Sequence, residues 1–161
     1  MQNKNIRAYG LIVKEGKILV CNEIINNFHA TKFPGGGLED GENPNDALKR
    51  EICEELQLKV EKTFLLHAPG SLLSPWNKKI YTPLYYYVKA SGSPKVPKSE
   101  TLTIDYLLPE EILKKQNIAE PEKKATKQLL KLKLILINYF EEKMYFLKMI
   151  PTIIIKTPPI I

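Results

Sequence analysis

FPGGGLEDGENPNDALKREICEELQL, residues 33–58, is the stretch on which the reading of this chain turns. Its second part is a helix with marked ends. Asn43 suits the N-cap, Pro44 the first helical position, and Asp46 the positive end of the helix dipole. Leu48, Ile52 and Leu56 recur at i, i+4 and i+8, which predicts one face turned to a core. At about 100° per residue, Glu51, Glu54 and Glu55 fall within an arc of roughly 100° beside that face, not opposite it. Ala47, one turn earlier in the same sector, leaves room above them. Like charges at these spacings repel by only a few tenths of a kcal/mol per pair, which a solvated surface tolerates. The acids alone are therefore compatible with a plain surface face. The loop before them changes the reading. Gly35-Gly36-Gly37 lets backbone approach a ligand closely, and Glu39, Asp40 and Glu42 add carboxylates. Clustered carboxylate oxygens beside a cleft suit a hard divalent cation.

Outward from this stretch, Ile6 to Val13 and Ile18 to Cys21 are β-prone runs joined by Lys14-Glu15-Gly16-Lys17, which predicts a hairpin. Lys32-Phe33 adds a short strand, after which the three glycines are expected to be loop. Leu58 to Leu66, Ile80 to Val88 and Thr101 to Leu107 read as further strands. Pro83 argues for an edge or a bulge, because proline cannot donate to a ladder. Helices are expected from Pro109 and from about Glu120. Strands dominate the first two thirds, so the class is α+β or mixed α/β.

The length of 161 residues suits one domain with one core. A content of 43% hydrophobic and 26% charged residues excludes disorder as the default. The first residues show no charged segment followed by an apolar one, and no apolar run approaches the ~20 residues of a membrane span. Cys21 and Cys53 form no CxxC pair and read as reduced, partly buried thiols, so the expected location is cytoplasmic. The net charge is +6, but residues 1–118 carry 16 Lys/Arg against 14 Asp/Glu, and residues 119–161 carry 8 against 4. The basic excess sits in the tail and not as a patch on the working domain, which points away from nucleic acid as the partner. Residues 132–161 form an apolar tail, with Leu132 to Phe140 almost wholly apolar and Thr152 to Ile161 obeying no helical period. A docked helix with a frayed end, a partner-binding segment and a non-native C-terminus all stay open for it, as does a homodimer.

Gly36, Glu42 and Arg50-Glu51-Ile52-Cys53-Glu54-Glu55-Leu56, followed by Leu58, closely resemble the Nudix box G-x5-E-x7-R-E-U-x-E-E-x-G-U, with U aliphatic. One position departs, Gln57 standing where the box has its last glycine. The resemblance covers about residues 4 to 131, treated as one Nudix hydrolase domain of residues 1–131. It implies a mixed β-sheet sandwiched between helices, and Mg²⁺-dependent cleavage of a diphosphate linkage, with Mn²⁺ able to substitute. By the same resemblance, Glu54 and Glu55 are the principal metal ligands. Glu51 binds metal or assists the attacking water, and the Gly35 carbonyl is a backbone ligand. Arg50 and Glu42 form a pair that orients the glutamates. A further acid after the box often completes such a site, with Asp105 the first candidate and Glu100 the second.

Lys32, Lys78 and Lys79 are candidates for gripping phosphate, and Trp76 for stacking on a base. His29, His67 and the tyrosines read as loop, strand-end and sheet residues. The expected partner is a small-molecule nucleotide. Pro75, 17 residues after Leu58, lies near where ADP-ribose-cleaving members of the family often carry a proline. An ADP-ribose-like or other nucleoside diphosphate derivative is thus the first expectation, a modified nucleoside triphosphate the second, and an RNA 5′ end the third. The rivals are a Nudix-like sensor that binds nucleotide without hydrolysis and an interaction protein recruited through the tail. Gln57, just past a helix end, is expected to be left-handed at a cost of about 1 kcal/mol relative to glycine.

Overall fold

The computed structural model describes residues 5–149, with the backbone alone for residues 137–149. The chain divides into two compact units, residues 1–129 and 130–161. In the first, β1 (Ile6–Lys14) and β2 (Lys17–Ile25) form the expected hairpin, closed by Glu15 and Gly16 at φ 51° and 78°. β2 continues against β3 (Phe28–Lys32) on one side and β8 (Thr103–Leu107) on the other. β1 pairs in parallel with β7 (Ile80–Ser91), and β7 pairs antiparallel with β5 (Lys59–His67) and the two-residue β6 (Leu72–Leu73). The result is a mixed sheet of order β3-β2-β1-β7-β5.

Alternation along the strands distributes the core. Ala8, Ile12, Leu19 and Cys21 face α1 (Pro44–Leu56), whose Leu48, Ile52 and Leu56 are fully buried among them. Tyr9, Leu11, Ile18 and Val20 face the other way, onto Ile112 of α2 (Pro109–Lys114) and Ala125 of α3 (Glu120–Met149). The sheet is thus sandwiched between helices. Gly10 permits the close packing of α1, because a Cβ there would meet Val88 and Ile52 at 2.9 and 3.0 Å. In the second unit α3 continues, with Leu134, Ile135 and Leu136 exposed. The readings of Thr152 to Ile161 lie outside the described residues. Among the described residues, no helix is long and apolar enough to cross a membrane.

Three expectations change. Gly35–Gly37 is not loop but β4, paired antiparallel with Arg7 to Tyr9 of β1. β1 supplies the hydrogen bonds, and small residues are needed because a Cβ at Gly35 would sit 2.1 Å from the Ala8 carbonyl oxygen. The short strand before Pro34 is Phe28–Lys32, with Phe33 left to fill the core. Pro83 lies in an interior strand, between β1 and the β5/β6 side. The Thr82 N–H donates to Asn5 on the β1 side, so the next nitrogen, that of Pro83, faces the other way. There the ladder is interrupted, between the pairs His67 with Tyr85 and Leu72 with Tyr81. A missing donor costs nothing in that gap.

Candidate active site

α1 begins as its sequence dictates. The Asn43 side chain accepts from the Asn45 and Asp46 N–H groups at 3.0 and 3.1 Å, and Pro44 opens the helix. It ends at Gln57, which is left-handed at φ 55°, ψ 30°, with its N–H bonded to the Cys53 carbonyl. The helix so bounded aims its acidic sector at β4. The Gly35 N–H donates to Glu55 Oε2 at 2.9 Å. Glu51 lies against Gly36, where a Cβ would come within 2.3 Å of its carboxylate.

Arg50 organises the outer half of this cluster. Its Nε and Nη2 donate to the two oxygens of Glu42 at 2.8 and 2.9 Å, and Nη2 also reaches the Gly37 carbonyl at 2.9 Å. Its Nη1 is shared between Glu51 Oε1 and Glu54 Oε2, each at 3.1 Å. The Arg50 hydrogen bonds, with the Glu39 N–H behind them, hold Glu42 down at about 2. Arg50 is thus tied to four backbone and side-chain groups of the box, consistent with a guanidinium fork that orients acids.

Glu55 is the buried member, 8% exposed. Burial pushes its carboxyl up to about 7, against the pull of Lys32 and the Gly35 N–H, with Glu51 and Glu23 adding to the rise. Lys32 is equally buried, its Nζ 2.7 Å from Glu23 Oε1 and 3.8 Å from Glu55 Oε1. Burial opposes its charge, but Glu55, Tyr9 and Glu23 together raise it to about 12. Lys32 is therefore a counter-ion within the acidic cluster, whereas the sequence had suggested a phosphate grip. Glu23 completes that cluster and was not foreseen, because only the β2–β3 pairing brings it beside Lys32.

The remaining candidates divide. Trp76 lines a cleft of about 260 Å³ together with Asn5, Arg7, Glu23, Ile25 and Tyr81. Lys78 is exposed and turns the chain at φ 56°, its N–H bonded to the Ser74 carbonyl. Asp105 is not brought to the cluster. It pairs with Val20, while its neighbours Ile104 and Tyr106 are the ones that turn toward α1. Asp105 is consequently on the opposite face, exposed, with its carboxylate accepting from the Tyr106 N–H at 2.7 Å. Glu100 is exposed in a turn closed on Pro97. His67 stacks on Tyr85, and Cys53 is exposed while Cys21 is buried. Among the described residues, no three His, Cys, Asp or Glu side chains are gathered tightly enough to hold an ion as they stand. Two of the box acids are engaged by the single nitrogen Nη1 of Arg50 instead.

The NUDIX domain family profile matches residues 1–129. The chain belongs to the Nudix domain family. Its Nudix fold is shared with the MutT NUDIX hydrolase from Burkholderia pseudomallei, at a TM-score of 0.68 and 22% identity over 79% of this chain and 98% of that one. A NUDIX hydrolase from Nitrosomonas europaea gives 0.67 and 19% over 79% and 88%. Relatives in sequence include an RNA pyrophosphohydrolase of Shewanella denitrificans, 36% identical over 63 residues, which are 35% of this chain and 37% of that protein. Another, from Aeromonas hydrophila, is 45% identical over 38 residues, 24% of this chain and 22% of that protein. The chain thus spans between about a fifth and little more than a third of the length of these curated relatives.

Proposed function

We propose that this Nudix domain is a pyrophosphohydrolase that uses Mg²⁺, with Mn²⁺ able to replace it, to cut the diphosphate linkage of a nucleoside diphosphate derivative. The observation that carries this reading is Glu55, a buried carboxylate gripped by the Gly35 N–H and set beside two further box acids on one nitrogen of Arg50. A carboxylate buried with only a 3.8 Å cationic partner is a costly group to keep, and a cation at its free lone pairs would offset that cost. The donor set is all oxygen, which fits a hard divalent ion.

Glu51, Glu54, Glu55 and the Gly35 carbonyl would hold the ion, Nudix hydrolases being generally users of divalent metals. When bound, the ion neutralises charge on phosphate oxygens and lowers the pKa of a water. The chain's own residues prepare for this. Arg50 keeps Glu51 and Glu54 oriented, and its tie to Glu42 fixes the guanidinium so that little order must be gained later. Lys32 and the Gly35 N–H hold Glu55 in one place, and the β4 backbone excludes water from its inner side. Glu51 would hold the ion or accept a proton from the attacking water, with Oε1 taken up by Arg50 Nη1.

The test is metal-stripped protein given Mg²⁺ and a panel of ADP-ribose, modified nucleoside triphosphates and triphosphorylated RNA, with products identified by mass spectrometry. AMP with ribose 5-phosphate is the expected pair. Selective release of pyrophosphate from RNA would support a second reading, favoured by the names of the sequence relatives. Nucleotide binding without any phosphate release would make the domain a sensor.

A further inference from the structure

The cleft beside the acidic cluster contains a cation whose role the box does not explain. Arg7, on β1, is half-buried, and its Nε donates to the Tyr9 hydroxyl at 2.7 Å. Its guanidinium carbon lies 5.9 Å from the centroid of the Tyr9 ring. Among the described residues, no carboxylate lies within 4.0 Å of it, although Arg50 and Lys32 each take two or more. A half-buried guanidinium whose terminal nitrogens lack an anion is an unfilled anion site, because its planar fork is built for bidentate oxygens.

Its aim is fixed from below. Tyr9 is 6% exposed and stacks on Tyr85 at 5.6 Å, and Tyr85 in turn meets Phe33 edge-on and His67 face-on. This aromatic stack cannot shift without disturbing the core, so the Tyr9 hydroxyl is a rigid prop for Arg7. On its other side, Arg7 Nη1 lies 3.7 Å from where a Gly37 Cβ would be. Arg7 therefore borders the same β4 backbone against which Glu51 rests. Ile25, Tyr81 and Trp76 line the same cleft, with Asn5, Glu23, Ser74 and Asn77 as its other polar members. Asn26, at the β2–β3 turn, donates to the Trp76 carbonyl at 3.3 Å and joins the two rims.

We propose that Arg7 grips the base-proximal phosphate of a nucleotide whose base lies on Trp76, with Tyr9 as the positioning residue. This inference rests on the reading of the domain as a nucleotide hydrolase and names the specificity contacts of that site. The order along the cleft is then base at Trp76, phosphate at Arg7, and scissile linkage at the glutamates. Its volume of about 260 Å³ is near the lower end for small-molecule sites and suits one nucleoside monophosphate half.

Trp76 is the sole tryptophan, so its fluorescence reports the cleft directly and without turnover. The full chain in EDTA is titrated with ADP, GDP, CDP and UDP. At least one is expected to quench saturably, and Arg7→Gln to weaken it by about tenfold to a hundredfold, the range of a charge-assisted hydrogen bond. Arg7→Lys should recover part of the affinity, since it keeps the charge but not the fork. Tyr9→Phe should weaken binding less than Arg7→Gln, and the exposed Lys62→Gln should change nothing. With a turned-over substrate, Arg7→Gln should raise KM more than it lowers kcat. The inference is overturned if none of the four nucleotides alters the fluorescence, or if Arg7→Gln and Arg7→Lys both bind within twofold of the parent. Loss of binding in Arg7→Gln with no Mg²⁺-dependent hydrolysis by the parent would leave the subsite standing and sink the hydrolase reading. Hydrolysis with an unchanged KM in Arg7→Gln would do the reverse.

Discussion

Glu122→Gln is expected to stabilise this protein in mild alkali relative to acid. Glu122, in the first turn of α3, is 5% exposed, and its Oε2 has no hydrogen-bond partner among the described residues. The Tyr85 hydroxyl is near but makes no well-formed bond to any group. Burial pushes the carboxyl up from 4.5 to about 7, and its own backbone N–H, Tyr85 and Lys32 offset only part of this. Between those two values the folded chain holds a proton that the unfolded chain has lost, so stability falls as pH rises through the window. At 1.36 kcal/mol per pH unit, the full loss is roughly 3 kcal/mol, present above about pH 7 and absent below about 4.5. Glutamine does not ionise, but its buried amide leaves N–H groups to satisfy, which costs about 1 kcal/mol. The variant should therefore be slightly less stable than the parent at pH 4 and about 1 to 2 kcal/mol more stable at pH 8. Urea melts of both proteins in EDTA at the two pH values measure this. An equal stability difference at pH 4 and pH 8 would refute the reasoning, because it would mean that Glu122 is ionised in the fold and well paired.

Removing the charge of Glu55 or Glu54 by substitution with Gln should lower Mg²⁺-dependent turnover by roughly two to four orders of magnitude, each 1.36 kcal/mol being about tenfold. Glu61→Gln, at a surface pair with Lys89, should be nearly silent in the same assay; near-normal rates in both box variants would reduce the acidic sector to surface. Gly36→Ala should keep the fold but displace the Glu51 carboxylate, which a Cβ would meet at 2.3 Å, so kcat should drop while the melting midpoint holds. Gln57→Gly should gain about 1 kcal/mol, since residue 57 stands at φ 55°, and an unmoved denaturant midpoint would contradict that strain. Deleting residues 138–161 should leave a folded, active domain, since the family match ends at residue 129; loss of the cooperative melt would place the tail in the core or in an obligate dimer.

The parts of this site that were legible in the sequence are those set by short-range geometry. Asn43, Pro44 and the 3.6-residue period of Leu48, Ile52 and Leu56 bound α1 and orient it, because caps and helical faces depend on residues within a few positions of each other. The same period places Glu51, Glu54 and Glu55 in one sector, and the resemblance to the Nudix box implied the pairing of Arg50 with Glu42 that the fold contains. Even the left-handed Gln57 follows from its place just past the helix end. What tertiary structure alone decided depends on partners far along the chain. Gly35–Gly37 is a strand because β1 offers it hydrogen bonds, which no local propensity of three glycines can report. Asp105 faces away from the acids because its register with Val20 sets its side, and a shift of one residue would have reversed it. Lys32 is a counter-ion because Glu23 and Glu55 converge on it from a strand and a helix. Arg7 reads in the sequence as an ordinary strand residue; its lack of an ion pair among the described residues, its prop on Tyr9 and its place in one cleft with Trp76 arise only when β1 and the β6–β7 turn come together.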